Sequence, residues 1–181
     1  MTMRLIKIRN KGFSLLEILL VLAVAAALVI GAFMLYPKLV ASQKIEKESK
    51  NITTLQAGVK ALYAGRSRLS GLSPTVLIQS KNVPDNMVQD GKLINEWKGE
   101  VDIAYQGNHG KYSITYNGVP AEACSKFITG VSGNFVSITI YNGGSGGDVK
   151  NDEEGKPLDV AKTASACGSD TVSTIMFSSI I

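Results

Sequence analysis

Residues 11–36 read KGFSLLEILLVLAVAAALVIGAFMLY. A glycine follows a basic residue, an aromatic follows the glycine, and a long apolar run follows, interrupted once by Glu17. Residues 18–35 are uncharged, 18 in all; as a helix rising about 1.5 Å per residue they cover about 27 Å, close to the hydrocarbon thickness of a bilayer. Glu17 is the anomaly. A charged side chain near a bilayer centre costs roughly 2.5–3.5 kcal/mol on insertion scales, and such residues are as a rule paired and functional. No other ionisable side chain lies between Phe13 and Tyr36, so a partner for Glu17 has to come from elsewhere.

Two simpler readings compete. A cleavable secretory signal also joins a basic head to an apolar stretch and ends at a small-residue site, and Ala23-Val24-Ala25 and Ala25-Ala26-Ala27 offer such sites. Against it, the apolar run continues past the alanines and holds a carboxylate. A plain membrane anchor fits the length and leaves Glu17 unexplained.

The block Gly12-Phe13-Ser14-Leu15-Leu16-Glu17, with its basic leader and long apolar sequel, resembles the prepilin peptidase site of type IV pilins. The resemblance implies cleavage between Gly12 and Phe13, N-methylation of Phe13, a role for Glu17 in assembly, and polymerisation into a filament. Asn95-Glu96-Trp97-Lys98-Gly99, Val119-Pro120-Ala121-Glu122-Ala123-Cys124 and the late Cys167 are similar to the type IVb subclass, most of all to PilS-type major pilins of conjugative thin pili. The 12-residue leader falls between the short type IVa and longer type IVb leaders, and Phe13 is the usual type IVa first residue. What the resemblance implies is a structural subunit for adhesion or conjugative mating-pair contact. A minor pilin or a type II secretion pseudopilin is the alternative. Its partners would be further copies of itself, prepilin peptidase, the inner-membrane assembly machinery, and the membrane before assembly. The location implied is the bacterial inner membrane for the precursor, then an extracellular pilus.

Charge fits this division. The chain has 19 basic and 15 acidic residues, a net +4. Four of the basic ones, Arg4, Lys7, Arg9 and Lys11, precede Phe13, so the remainder carries 15 of each sign. The leader's cations hold the N-terminus on the cytoplasmic side. No basic cluster with interleaved aromatics is left to argue for nucleic-acid binding. In an exported domain the two cysteines, Cys124 and Cys167, meet an oxidising compartment, and an even count reads as one disulfide; two buried free thiols are the other possibility.

The fold expected is α+β: a long N-terminal helix on an antiparallel sheet. The segments are a leader over 1–12, an apolar helix over 13–36, its amphipathic continuation over 37–65, and a globular head over 66–181. Ala41, Ile45, Ile52, Leu55, Val59 and Leu62 form an apolar stripe on one helix face. Gly31 and Pro37 are the places expected to bend or unwind the helix, Gly58 is a mild helix weakness, and Gly65 ends the element. Short helices are expected over 75–79, 121–128 and 158–166, and strands over 101–105, 112–116, 135–141 and 171–177. Gly143-Gly144-Ser145-Gly146-Gly147 reads as a flexible surface loop, lacking the Lys-Ser/Thr of a phosphate cradle.

Catalysis finds no footing. The sole histidine, His109, lies in a turn-like segment, and no nucleophile, base and orienting group stand together. Asp148, Asp152, Glu153 and Glu154 form an acidic stretch, but its spacing lacks the alternate oxygens of a loop built for calcium. A solvated acidic loop is expected there, with no metal and no cofactor.

Overall fold

The computed structural model describes residues 14–66, 68–107, 110–168 and 171–181; Gly12, Phe13 and His109 lie outside them. The chain divides into two compact units, one ending at Val40 and one spanning Ala41–Ile181. Helix α1 (Leu15–Leu62) enters both.

In the first unit α1 is apolar on every face, and each described side chain from residue 14 to 39 is exposed. It is the one helix among the described residues long and apolar enough to cross a membrane. The backbone stays α-helical through Gly31 and Pro37, so the unwinding expected at those two positions does not occur. Proline removes a single donor, and the strong helix formers on either side carry the chain through.

In the second unit α1 becomes amphipathic. Ile52, Leu55 and Val59 are fully buried, with Ile45 and Leu62 partly so. The helix ends at Leu62, followed by a turn in which Gly65 adopts φ +73°, a left-handed conformation that suits glycine. Ser73 caps the next helix, α2 (Pro74–Gln79), by accepting from Val76 N. The sequence reading missed a small hairpin in the following segment. Strands β1 (Val88–Gln89) and β2 (Lys92–Leu93) pair across Asp90-Gly91, both at positive φ, the two-residue turn that matches strand twist.

The main sheet follows. β3 (Val101–Tyr105) and β4 (Lys111–Pro120) form an antiparallel pair, and β4 leads into α3 (Ala121–Val131). β5 (Ser137–Asn142) and β6 (Ser145–Asn151) pair next, then come α4 (Val160–Cys167) and β7 (Val172–Ile180). The five strands lie in the order β3-β4-β7-β5-β6, all antiparallel. Tyr112, Ile114 and Tyr116 share a face with their register partners Ser179, Phe177 and Ile175, and with Ile103, Ile138 and Ile140. That face is buried with the α1 stripe and α3 in one core. Phe127 of α3 sits amid Trp97, Tyr116 and Phe177, with ring centroids 5.2–5.6 Å away, spacings typical of favourable aromatic pairs.

The glycine-rich run is not a loop. Gly143 and Gly144, at φ 54° and 94°, form the turn, and β6 begins at Ser145. Propensity argues against strand at glycine, but Gly146 lies opposite Tyr141, whose ring would meet an added Cβ at 2.6 Å. The tyrosine occupies the space a side chain would need, the cross-strand remedy for a glycine in a sheet. β6 continues through Asp148, so the expected acidic loop begins inside a strand and ends in a 3-10 turn, Asp152–Glu154.

Gly58 also proves more than a weak point, because an added Cβ there would lie 2.1 Å from the Asn82 carbonyl oxygen. Alanine at this position gains about 1 kcal/mol of helix propensity but drives a methyl group into backbone, an overpacking that costs about 1–3 kcal/mol and has no flexible side chain to relieve it. Gly58→Ala is therefore expected to lower the urea midpoint of the head at unchanged slope. A raised midpoint would mean that the Asn82 loop gives way freely.

Candidate functional site

Glu17 lies in the first turn of α1, where the Glu17 and Ile18 amides both bond the Ser14 carbonyl, at 3.0 and 3.2 Å. A carboxylate there complements the helix dipole by about 0.3–1 kcal/mol. That is several-fold less than the cost of holding the charge in an apolar medium, so the dipole does not account for it. Apart from Ser14, the described neighbours of Glu17 along the helix are exposed leucine, isoleucine and valine. Gly12 and Phe13, the expected cleavage and methylation positions, are outside the described residues. In the sequence Phe13 precedes Glu17 by four positions.

In the head, Asn95-Glu96-Trp97-Lys98-Gly99 has a physical reason for each residue type. Asn95 is buried; its Oδ1 accepts from the Trp97 and Gly99 amides, each at 2.9 Å, and its Nδ2 donates to the Asn117 carbonyl. Lys98 takes φ 69° to close the turn. Gly99 is pressed so closely on Asn117 that a Cβ would fall 1.7 Å from its carbonyl oxygen. Glu96 forms an ion pair with Lys47 of α1, and its amide donates to Glu48 Oε1 at 2.9 Å. Trp97 packs on Phe127.

Glu48 is the charge that the sequence reading missed. It is fully buried on α1, accepting also from Asn51 Nδ2 at 3.2 Å. Its second oxygen faces the equally buried Tyr116 hydroxyl without closing a well-formed hydrogen bond. Burial pushes the Glu48 carboxyl above its ordinary range and the Tyr116 phenol well above its own. Spacing alone flags Glu48: it falls three residues past Ile45 and four before Ile52, inside the stripe. Lys150 is a second buried ion. Its Nζ donates to the Ser132 and Phe135 carbonyls at 2.8 and 2.6 Å and pairs with Asp152 at 2.8 Å. Those carbonyls follow the C-terminus of α3, where a cation is favoured.

A disulfide joins Cys124 of α3 to Cys167, the last residue of α4. Both sulfurs are buried. The acidic stretch is occupied by its own neighbours: Asp148 accepts from Thr139, Asp152 pairs with Lys150, Glu153 with Lys111 and Glu154 with Lys156. Among the described residues no group of three acidic, histidine or cysteine side chains is arranged to hold a metal ion.

Residues 42–180 match the family described as PilS N terminal, and residues 7–33 match the prokaryotic N-terminal methylation motif. The major structural subunits of bundle-forming pilus from Escherichia coli O127:H6 and O111:H- are each 28% identical to this chain over 124 residues. Those matches cover 66% of this chain and 64% of each relative, a little under two thirds of the relatives' own length. Among solved structures, TcpA, a type IV pilin from Vibrio cholerae El Tor biotype, aligns with 76% of this chain over 99% of its own, at TM-score 0.60 and 13% identity. The type IV b pilin from Salmonella typhi aligns with 73% over 97% of its own, at TM-score 0.55 and 23% identity. At these identities the likeness is one of fold: a helix on an antiparallel sheet.

Two outcomes follow from the disulfide and the buried carboxylate. The disulfide spans a sequence separation of 43, worth about 4 kcal/mol in the chain-entropy account. Replacing both cysteines by serine should lower unfolding free energy by that order, and reductant should then have no further effect on the urea curve. For Glu48, a folded-state pKa raised above 4.5 means that the folded protein holds the proton more tightly than the unfolded chain. Its contribution to stability is thus fully present below pH 4.5 and is lost as pH rises through the folded value. Glu48→Gln keeps an acceptor for the Glu96 amide and offers a donor to Tyr116, so it should raise stability at pH 7 by about 1 kcal/mol and flatten the acid dependence. Equal stability profiles for the two proteins across pH 3–7 would show that Glu48 titrates alike in the folded and unfolded chains.

Proposed function

Because the chain belongs to the PilS family of type IVb pilins, we propose that it is the major structural subunit of a type IV pilus, a polymer rather than an enzyme. The observation that carries this reading is the pairing of two parts in one chain. An all-apolar, exposed helix with a lone carboxylate in its first turn lies within the methylation motif, and a head of the PilS family follows it. Exposed on all sides, such a helix needs an apolar surrounding. The membrane supplies it for the precursor, and the helices of neighbouring copies supply it in the filament.

Prepilin peptidase cuts between Gly12 and Phe13 at the cytoplasmic face of the inner membrane, where glycine lets the backbone enter the protease cleft. The new amine on Phe13 is methylated and stays charged. In the filament Glu17 neutralises the Phe13 amine of an adjacent subunit; burying either charge alone is costly, and pairing offsets much of that cost. The pair fixes axial register, because the rest of the helix is uniformly apolar and free to slide. The head is carried outside the cell, where the filament serves adhesion or conjugative contact. The apparatus that draws subunits from the inner membrane is the further partner.

N-terminal sequencing of sheared filaments should begin at a methylated Phe13, whereas a mature chain starting at Ala26 or Leu28 would point to ordinary signal peptidase. Glu17→Ala and Glu17→Gln are expected to leave cleavage and membrane insertion intact and to reduce filaments sharply, with Glu17→Asp milder. Normal filament number and length from Glu17→Ala subunits, expressed without any wild-type copy, would overturn the assembly role.

A further inference from the structure

The charges of the head are segregated along the chain. Residues 49–84 contain Lys50, Lys60, Arg66, Arg68 and Lys81 and no acidic residue. Residues 85–102 contain Asp85, Asp90, Glu96, Glu100 and Asp102 against Lys92 and Lys98. Contacts within the head turn this pattern into a spatial one. The acidic segment docks on α1 through Asn86, whose Nδ2 donates to Asn51 Oδ1 at 3.3 Å, and through Glu96, whose amide donates to Glu48 and whose carboxylate pairs with Lys47. The cationic segment lies further along the same helix. Asn82, next to Lys81, packs on Gly58, and Arg66 and Arg68 follow the helix end at Leu62. From Asn51 to Leu62 the helix advances about 16 Å, twice the screening length at physiological salt.

Local pairing does not erase the separation. Lys47 takes Glu96, Lys50 takes Glu46 and Lys92 takes Glu100. Lys60, Arg66, Arg68 and Lys81 remain exposed, with no ion pair among the described residues, as do Asp85 and Asp90. Asp90 is held out at the tip of the β1–β2 turn, at φ 49°. Lys98, in the acidic segment, is likewise exposed with no ion pair among the described residues, so the head is polarised along α1 in net charge rather than sorted ion by ion.

Resting on the pilus reading above, we propose that the cationic end of α1 (Lys60, Arg66, Arg68, Lys81) docks on the Asp85–Asp90 loop of a second copy of this chain. The two patches differ, so the contact is heterologous and repeats without closing, the kind that builds an open filament. Copies stacked along a common helix direction bring the cations of one subunit to the anions of the next. Each exposed pair contributes little stability; what the contact supplies is orientation and encounter rate, while like charges brought face to face cost several kcal/mol.

The test is a charge swap in the full-length chain, expressed as the sole copy, with filaments counted after shearing and subunit level and disulfide oxidation measured alongside. Arg66→Glu with Arg68→Glu, and separately Asp85→Lys with Asp90→Lys, should each cut filament yield about tenfold or more at unchanged subunit level. The chain carrying all four substitutions, in which the exchanged positions are again of opposite sign, should recover most of that yield. Normal yield from either double variant overturns the inference, as does a fourfold variant no better than its parents. In the latter case, loss of binding to phosphatidylglycerol vesicles by Arg66→Glu with Arg68→Glu would assign the cations to lipid instead. If the wild-type chain forms no filaments, the pilus reading fails and this contact falls with it.

Discussion

The folded head depends on how the second half of α1 is held against one face of the sheet, because that sheet has only one side on which to bury apolar residues. Its strands alternate: Tyr112, Ile114 and Tyr116 point to the core, while Asp102, Ala104 and Thr115 take the other face. An antiparallel sheet of this kind is stable once a helix layer covers its inner face. Ile52, Leu55 and Val59 of α1, with Phe127 and Ile128 of α3, supply that cover. The same helix, continued toward the N-terminus, is apolar all round. One element thus serves as a core helix over part of its length and is exposed and apolar over the rest.

Apolar packing alone does not fix how such a helix is rotated or how far it is shifted, since one leucine-rich stripe slides on another at little cost. Polar groups placed inside the stripe do fix it. Gln56 reaches across to the Asn134 carbonyl at 2.6 Å and the Ser179 hydroxyl at 3.0 Å, and Glu48 receives the Glu96 amide. Moving α1 by one turn would leave these buried groups without partners, at about 1–3 kcal/mol for each. Glu48 spends stability for this, as burial of a carboxylate without a cation in contact must. The Asn95–Gly99 turn therefore has two roles. It docks Trp97 into the aromatic cluster and presents the amide that Glu48 recognises.

The legible parts of the sequence were those where periodicity and burial coincide. The α1 stripe, the 101–105 and 112–116 hairpin and the α3 segment all repeat at the spacing of the element they form, and the structure has each of them. Two features resisted because the decisive atom lies on another element. Nothing near Gly146 indicates a strand; the reason is Tyr141 across the hairpin. Nothing near Gly58 indicates more than a poor helix former; the reason is the Asn82 carbonyl. Glu48 was passed over although its position falls within the apolar spacing. Of the candidate site, Glu17 stands out from hydrophobicity alone, as a charge in an apolar run. The polar connections that orient the helix were not, because they are made to backbone groups that no motif records.

The disulfide lies where the topology is weakest. β6 is an edge strand, paired only with β5 on one side, and it carries Gly146 and Gly147 near its start, which contribute no side-chain packing. Its outer edge is held by short backbone links from the following loop, Asn151 to Lys156 and Asp159 to Val149. α4 is eight residues long, with only Thr163 and Cys167 buried, too short to be stable without tertiary support. Left to these interactions, the segment from β6 to β7 would be the first to open. Yet β7, which ends the chain, is the central strand between β4 and β5, so the sheet cannot close until that segment is in place. Linking α4 to α3 through Cys124 and Cys167 ties the weak segment to a helix already embedded in the aromatic core. Under the export proposed above, no glutathione pool would reduce that bond. The covalent link at one end of the head and the buried polar contacts at α1 therefore solve the same problem, holding in place an element whose own apolar contacts do not specify its position.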